Sequence, residues 1–278
     1  MIRAGVLVLD EIVRPLLPDT ENFLCNLIRF PSVPGSERDA IDYAAEVFNS
    51  IGPVVEKVPI PNSIRDDPDY SFPVPNLKYD NRYNLRVVSK GSGKRNSLLL
   101  NTHLDVVPAS KGQVQPFEAV VENGIVRGRG ACDAKGQAAV IFLVFAALQK
   151  VKTTPRGDLI AHLVVEEEVG GNGTLSMVRR GEKADAAVVL EPTELKILSS
   201  VRGAVWFRIR CEGKAGHSGQ PGRSVSALNV ARRIMTALEQ YHSDLLKKSR
   251  GIPLFDCFEN PMPQIGRASC RERVCHRV

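Results

Sequence analysis

No apolar run in this 278-residue sequence reaches the ~20 residues that a membrane-spanning helix requires, so no membrane span is expected. The opening stretch, MIRAGVLVLDEIVRPLL, holds only a short apolar run, broken by Asp10 and Glu11 and followed by no small-residue cleavage site. It reads as a first helix rather than a secretory signal, and a cytoplasmic setting is expected. Cysteine is sparse and scattered, at Cys25, Cys132, Cys211, Cys257, Cys270 and Cys275, with no C-x-x-C pair. That argues against a disulfide framework and against a cysteine-ligated zinc module. Aromatic residues make up 6% of the chain and do not interleave with a basic helix face, so the net charge of +6 is a poor sign of nucleic-acid binding. Much of that charge sits in the last fourteen residues, IGRASCRERVCHRV; without them the balance falls to +3.

What is present is an alternation of helical and extended patterns. Residues 4–30 read as a first helix, and residues 37–51 as a second with Ser36 as N-cap and Gly52–Pro53 as its end. VVEKVPI reads as a strand, and residues 61–82, rich in Pro and Asp, as a loop or insertion. YNLRVVSKG and NSLLLNTH read as two strands joined by a Gly/Ser turn, and FEAVVENGIVRGRG as a hairpin turning at Asn123–Gly124. KGQAAVIFLVFAALQKV is an apolar helix, GDLIAHLVVEEEVGG a buried strand, GTLSMVRRG a short helix and ADAAVVLEPT another buried strand. This order predicts an α/β fold, a mixed sheet flanked by helices on both faces. After Glu194 the texture changes to alternating strands and one long amphipathic helix, the start of a second domain.

Ligands of open α/β sheets collect at the carboxyl ends of strands. Three expected strands end in groups of that kind: His103, the pair Glu167 and Glu168, and Glu191. His103 and Asp105 stand two apart, so in an extended segment both side chains share a face. That suits a metal-binding imidazole with a carboxylate fixing its tautomer, and equally a core histidine. Asp133 precedes the apolar helix within a Gly-rich turn, as a helix cap or as a ligand. Three adjacent glutamates at the end of an apolar strand are costly unless a cation or solvent takes up their charge. One imidazole and several carboxylates, without metal-type cysteine spacing, suit a catalytic zinc or a two-metal site, and manganese or cobalt fit the same donors.

In their order, THLDVVP, GRGACDAKG, EEEVGG, EPT and GKAGHSGQPGRS resemble the metallopeptidase family of acetylornithine deacetylase, succinyl-diaminopimelate desuccinylase, aminoacylase and glutamate carboxypeptidase, over about residues 20–263. The resemblance implies a di-zinc catalytic domain over 1–196 and part of a ferredoxin-like α+β lid and dimerisation domain over 197–264. It implies two divalent metal ions, held by His103, Asp133, Glu168 and Glu191, with Asp133 bridging. Asp105 would orient His103, Glu167 would be the general base, and His217 would reach a partner subunit's active site and stabilise the oxyanion. The implied reaction is hydrolysis of the amide of an N-acyl amino acid by a metal-activated water, by a homodimer. Cleavage of a dipeptide or C-terminal peptide bond, and a catalytically inactive binding or dimerisation protein, remain open alternatives.

The resemblance also implies a last histidine ligand beyond the lid, which this sequence does not reach; His276 sits in no matching motif. Residues 265–278 read as a non-native tail, similar to the translation of an adapter oligonucleotide.

Overall fold

In chain order the strands are β1 (Val54–Pro59), β2 (Tyr83–Ser89), β3 (Leu98–His103), β4 (Val120–Glu122), β5 (Ile125–Arg127), β6 (Leu159–Val164) and β7 (Ala186–Val189). The helices are α1 (Leu17–Ile28), α2 (Arg38–Ser50), α3 (Lys135–Lys150), α4 (Asn172–Arg180) and α5 (Ala227–Ser249). These come from a computed structural model that describes residues 9–71, 74–93, 95–198, 209–217, 222 and 224–253. The chain divides into two units, Met1–Ser199 and Ser200–Val278.

The first unit is built on one mixed sheet in the order β1-β2-β6-β3-β7. β1 pairs antiparallel with β2 and β2 antiparallel with β6, while β6, β3 and β7 run parallel. β6 is buried along its whole length. Its near-continuous apolar sequence is what a strand covered on both faces requires. The strands at 83–89 and 98–103 are not neighbours, as a simple Gly/Ser turn between them would make them: β6 lies between. β7 corrects the expectation of a buried strand, since all four of its residues are exposed. Among the described residues it is the sheet's last strand, with β3 as its one partner in the sheet.

Helices lie on both faces. On one, Leu85, Val87, Leu100, Ala161 and Leu163 meet the buried stripes of α1, α2 and α3. In α2 the stripe is Ile41, Ala44, Ala45 and Phe48, and in α3 it is Ala138, Ile141, Phe142 and Phe145, both at i, i+3, i+4, i+7. The rings of Phe23 and Phe142 lie 5.0 Å apart between centroids, and Phe48 meets Phe142 edge-on at 5.8 Å. Each such buried side chain stabilises the fold by roughly 1.5–3 kcal/mol. On the other face Met177 of α4 packs on Val58 and Val164.

The β4–β5 hairpin turns at Asn123 and Gly124, with φ of +53° and +74°, the left-handed pair of a type I′ turn. The second helix corrects the expected cap. Glu37, not Ser36, is its N-cap residue, and no side chain caps it. The Glu37 carboxylate instead accepts from Gly35 N and pairs with Arg82. The loop 61–82 is not purely solvated: a 3₁₀ turn at Asn62–Asp66 buries Ile64, and Leu77 and Tyr79 join the main core.

In the second unit α5 is capped by Ser226, whose Oγ accepts from Asn229 N at 3.2 Å, and Lys214 bridges to Val225. Residues 199–208, 254–264 and the tail 265–278, with His276, lie outside the described residues. Among the described residues no helix is long and apolar enough to cross a membrane.

Candidate metal centre

Because β6, β3 and β7 are parallel neighbours, their carboxyl ends fall on one edge of the sheet, with β3 in the middle. β3 ends on His103, the chain leaving β6 carries Glu167 and Glu168, and the chain leaving β7 carries Glu191. The sheet register thus sets the imidazole between two acidic strand ends.

His103 is fully buried. Its Nδ1 lies 2.9 Å from the carbonyl oxygen of Asp105. A carbonyl only accepts, so Nδ1 carries the proton and donates it, and Nε2 presents its lone pair. That lone pair faces acids: Asp133 Oδ1 at 2.9 Å, Glu167 Oε2 at 3.7 Å and Glu191 Oε2 at 3.9 Å. An acceptor nitrogen among carboxylates calls for a cation, either a proton or a metal. Without metal the proton is held: burial pushes His103 down, but the Asp105 hydrogen bond and the charges of Asp105, Glu167 and Glu191 raise it to about 10. The acids show the matching effect. Burial chiefly lifts Glu191 to about 7; His103 opposes it, and Glu167, Asp133 and Glu168 add to it. Burial likewise lifts Glu167 and Glu168. A bound divalent cation would reverse the balance at every one of these groups.

The donor set fits such an ion. One ligand atom each from His103, Asp133 and Glu168 all lie within 4.8 Å of one another. An imidazole nitrogen with two carboxylates brings two negative charges and suits zinc, manganese or cobalt.

Asp105 is fully buried behind His103. Its Oδ1 accepts from Glu167 N and its Oδ2 from Glu168 N, both at 3.1 Å, and Oδ1 stands 3.4 Å from His103 Nδ1. Asp105 therefore holds the imidazole through its backbone carbonyl and the backbone of both glutamates through its carboxylate, a wider task than the spacing alone suggested. Asp133 does not cap α3: the N-cap is Ala134 and makes no side-chain cap bond, which leaves the Asp133 carboxylate to His103. The next turn is pinned by the fully buried Lys135, whose Nζ donates to Leu27 O at 2.8 Å and Phe30 O at 2.7 Å. Burial pushes Lys135 down to about 7, against the pull of Asp105. Behind the glutamates, α4 rests directly on the chain: a Cβ on Gly173 would lie 2.1 Å from Val165 O, so only glycine fits there.

Sequence reasoning passed over Glu166, the first of the three glutamates. It is fully buried and turned away from its neighbours toward Arg82, Tyr79 and Asn172. The signal was an acid with no face left to use directly after a wholly apolar strand. His217 belongs to the second unit, where it is exposed.

Comparison with known proteins supplies the context. The family model described as peptidase family M20/M25/M40 matches residues 99–254, more than half of the chain. A probable carboxypeptidase of Aspergillus terreus is 30% identical over 88% of this chain and 54% of its own length. An N-formyl-4-amino-5-aminomethyl-2-methylpyrimidine deformylase of Halalkalibacterium halodurans is 32% identical over 63% of this chain and 45% of its own. The chain thus spans about half the length of these curated relatives. Among solved structures, the dipeptidase Dug1p from Saccharomyces cerevisiae shares the fold, with a TM-score of 0.54 and 19% identity over 65% of this chain and 40% of that one.

Proposed function

The chain belongs to peptidase family M20/M25/M40, and on that premise we propose that it is the metal-binding part of a hydrolase that cleaves a linear amide, with an N-acyl amino acid as substrate. The observation that carries this is His103 Nε2, 2.9 Å from Asp133 Oδ1 and within one ligand cluster with Glu168.

In this reading His103, Asp133, Glu168 and Glu191 are the residues that would hold two divalent ions, zinc in the first place. Bound there, the ions supply an acidified water and a polarised carbonyl. The chain's own residues do the rest. Asp105 fixes the His103 tautomer and holds the backbone of Glu167 and Glu168. Glu167 takes the proton of the attacking water on its carboxylate and passes it to the leaving amine nitrogen. His217, presented by a dimerising lid, donates to the oxyanion of a partner subunit's substrate.

The relative from A. terreus favours a second reading of the same site, release of a C-terminal amino acid from a peptide. Both readings are tested with the complete protein, in zinc, cobalt or manganese, on N-acetyl and N-succinyl amino acids and on dipeptides. Turnover of the acylated amino acids over the dipeptides supports the first reading, and the reverse preference supports the second. Glu167→Gln is expected to lower kcat by about 10²–10⁴-fold while metal content stays at the wild-type level. An undiminished rate removes Glu167 from the mechanism.

A further inference from the structure

Glu167 and Glu168 follow a residue held in an unusual way. Glu166 has φ of +60°, a left-handed conformation disfavoured for any residue with a side chain, and one that persists only where the surroundings over-determine it. The surroundings here do so. Glu166 Oε1 is paired with Arg82 Nη1, and Oε2 accepts from Tyr79 OH at 2.6 Å and Asn172 Nδ2 at 3.2 Å. Its backbone oxygen accepts from Gly171 N at 2.8 Å. Arg82 is in turn held by Glu37 Oε1 at 2.5 Å and stands over the Tyr79 ring at 5.0 Å. Asn172 is fixed by Ser71, accepting from its N at 3.2 Å and donating to its O at 3.0 Å. Glu37, Tyr79, Arg82, Glu166 and Asn172 are all buried.

We infer that Glu166 is a positioning residue for the metal centre: its buried grip on Arg82 and Tyr79 fixes the left-handed turn that aims Glu167 and Glu168 at the ions. The inference rests on the metal-site reading above. The turn is then held from two sides. Asp105 draws in the backbone N–H groups of Glu167 and Glu168, and the Arg82–Tyr79–Asn172 group anchors the residue before them. Releasing the anchor lets the turn relax, so the Glu168 carboxylate leaves the cluster with His103 and Asp133.

Glu37 offers the control, because it pairs with the same guanidinium but lies far from the turn in sequence. Apo and Co²⁺-loaded forms of the 278-residue protein, Glu166→Gln and Glu37→Gln are compared by thermal unfolding and by Co²⁺ titration followed in the visible spectrum. Both substitutions break a buried charge pair to Arg82 and are expected to lower the apo Tm alike. Only Glu166→Gln is expected to weaken Co²⁺ binding, by about 10–100-fold, the usual effect of losing an outer support of a metal site. Equal losses of Co²⁺ affinity in both variants, or in neither, overturn the inference while leaving the metal site standing. Absence of Co²⁺ binding by the wild-type protein overturns the metal-site reading and the inference with it. If Glu166→Gln does not fold, Tyr79→Phe removes one hydrogen bond to Glu166 and keeps the charges. A three- to tenfold loss of Co²⁺ affinity, part of the effect of losing one hydrogen bond to a carboxylate, supports the inference, and unchanged affinity overturns it.

Discussion

Replacing Asp105 by Asn changes one atom of the side chain and nothing of its size, yet it is expected to cost the metal centre one to two orders of magnitude in affinity. The carboxylate now satisfies two backbone donors at once, Glu167 N on Oδ1 and Glu168 N on Oδ2, each at 3.1 Å. Asn keeps a single acceptor oxygen. Its NH₂ must face the other backbone N–H, donor against donor, in a site that no water reaches, since Asp105 is fully buried. Losing one hydrogen bond to a charged group costs about 1.5–3 kcal/mol. At about 1.4 kcal/mol per factor of ten, that is roughly 10–100-fold if the whole penalty falls on the metal-ready arrangement. Two assays read it. Zn²⁺ titration against a coloured chelator gives the affinity, and amide hydrogen exchange resolved at Glu167 and Glu168 gives the cause. Protection is expected to fall at one of the two amides and to persist at the other. Zinc affinity within about threefold of wild type, with both amides still protected, would refute the reasoning that Asp105 acts through these two bonds.

Other outcomes follow from the same geometry. Zinc at a hundred times its Kd should stabilise the protein by about 2.7 kcal/mol through mass action, seen as a higher Tm that EDTA reverses; an unchanged Tm counts against a formed site. Lys135→Met orphans the carbonyls of Leu27 and Phe30, and urea unfolding should show a loss of about 1–3 kcal/mol. A midpoint as high as wild type would mean that the buried charge costs as much as its two bonds return. Burial pushes His162 on β6 from 6.5 down to about 4, with Glu182 opposing and Arg86 adding. The unfolded chain therefore takes up a proton between those values while the folded one does not. The contribution is complete above about pH 6.5 and is lost as pH falls toward 4, up to about 3 kcal/mol. His162→Gln should flatten stability over that window, and an unaltered pH profile would exclude His162 as its source.

The parts of the site that could be read from the chain were those where an apolar strand ends abruptly in an ionisable group. His103, Glu167, Glu168 and Glu191 each follow such a run, and parallel pairing of β6, β3 and β7 then places them on one edge. The helices α2 and α3 were legible for the same reason, their buried stripes recurring every three to four residues. What stayed hidden depends on partners distant in sequence. Glu37 looked like part of a helix start and Arg82 like the end of a polar loop, and nothing local joins either to Glu166. The cap expected at Ser36 failed because the demand on Glu37 comes from Arg82, 45 positions away. The burial expected of β7 is not met among the described residues, where it stands at the edge of the sheet, a position that apolar content does not reveal.

The three strand ends that carry the candidate ligands are tied to each other by ladder hydrogen bonds in fixed register, His103 beside Val164 and Asn101 beside Val189. Their lateral spacing is therefore the ~4.8 Å repeat of a sheet rather than a property of any loop. The β4–β5 hairpin lies within the excursion that leaves β3 after His103, and it does not set that pitch. That hairpin can lengthen or shorten without moving the strand ends. The ladder fixes the base, and the turn at Glu166 carries Glu167 and Glu168 out from it.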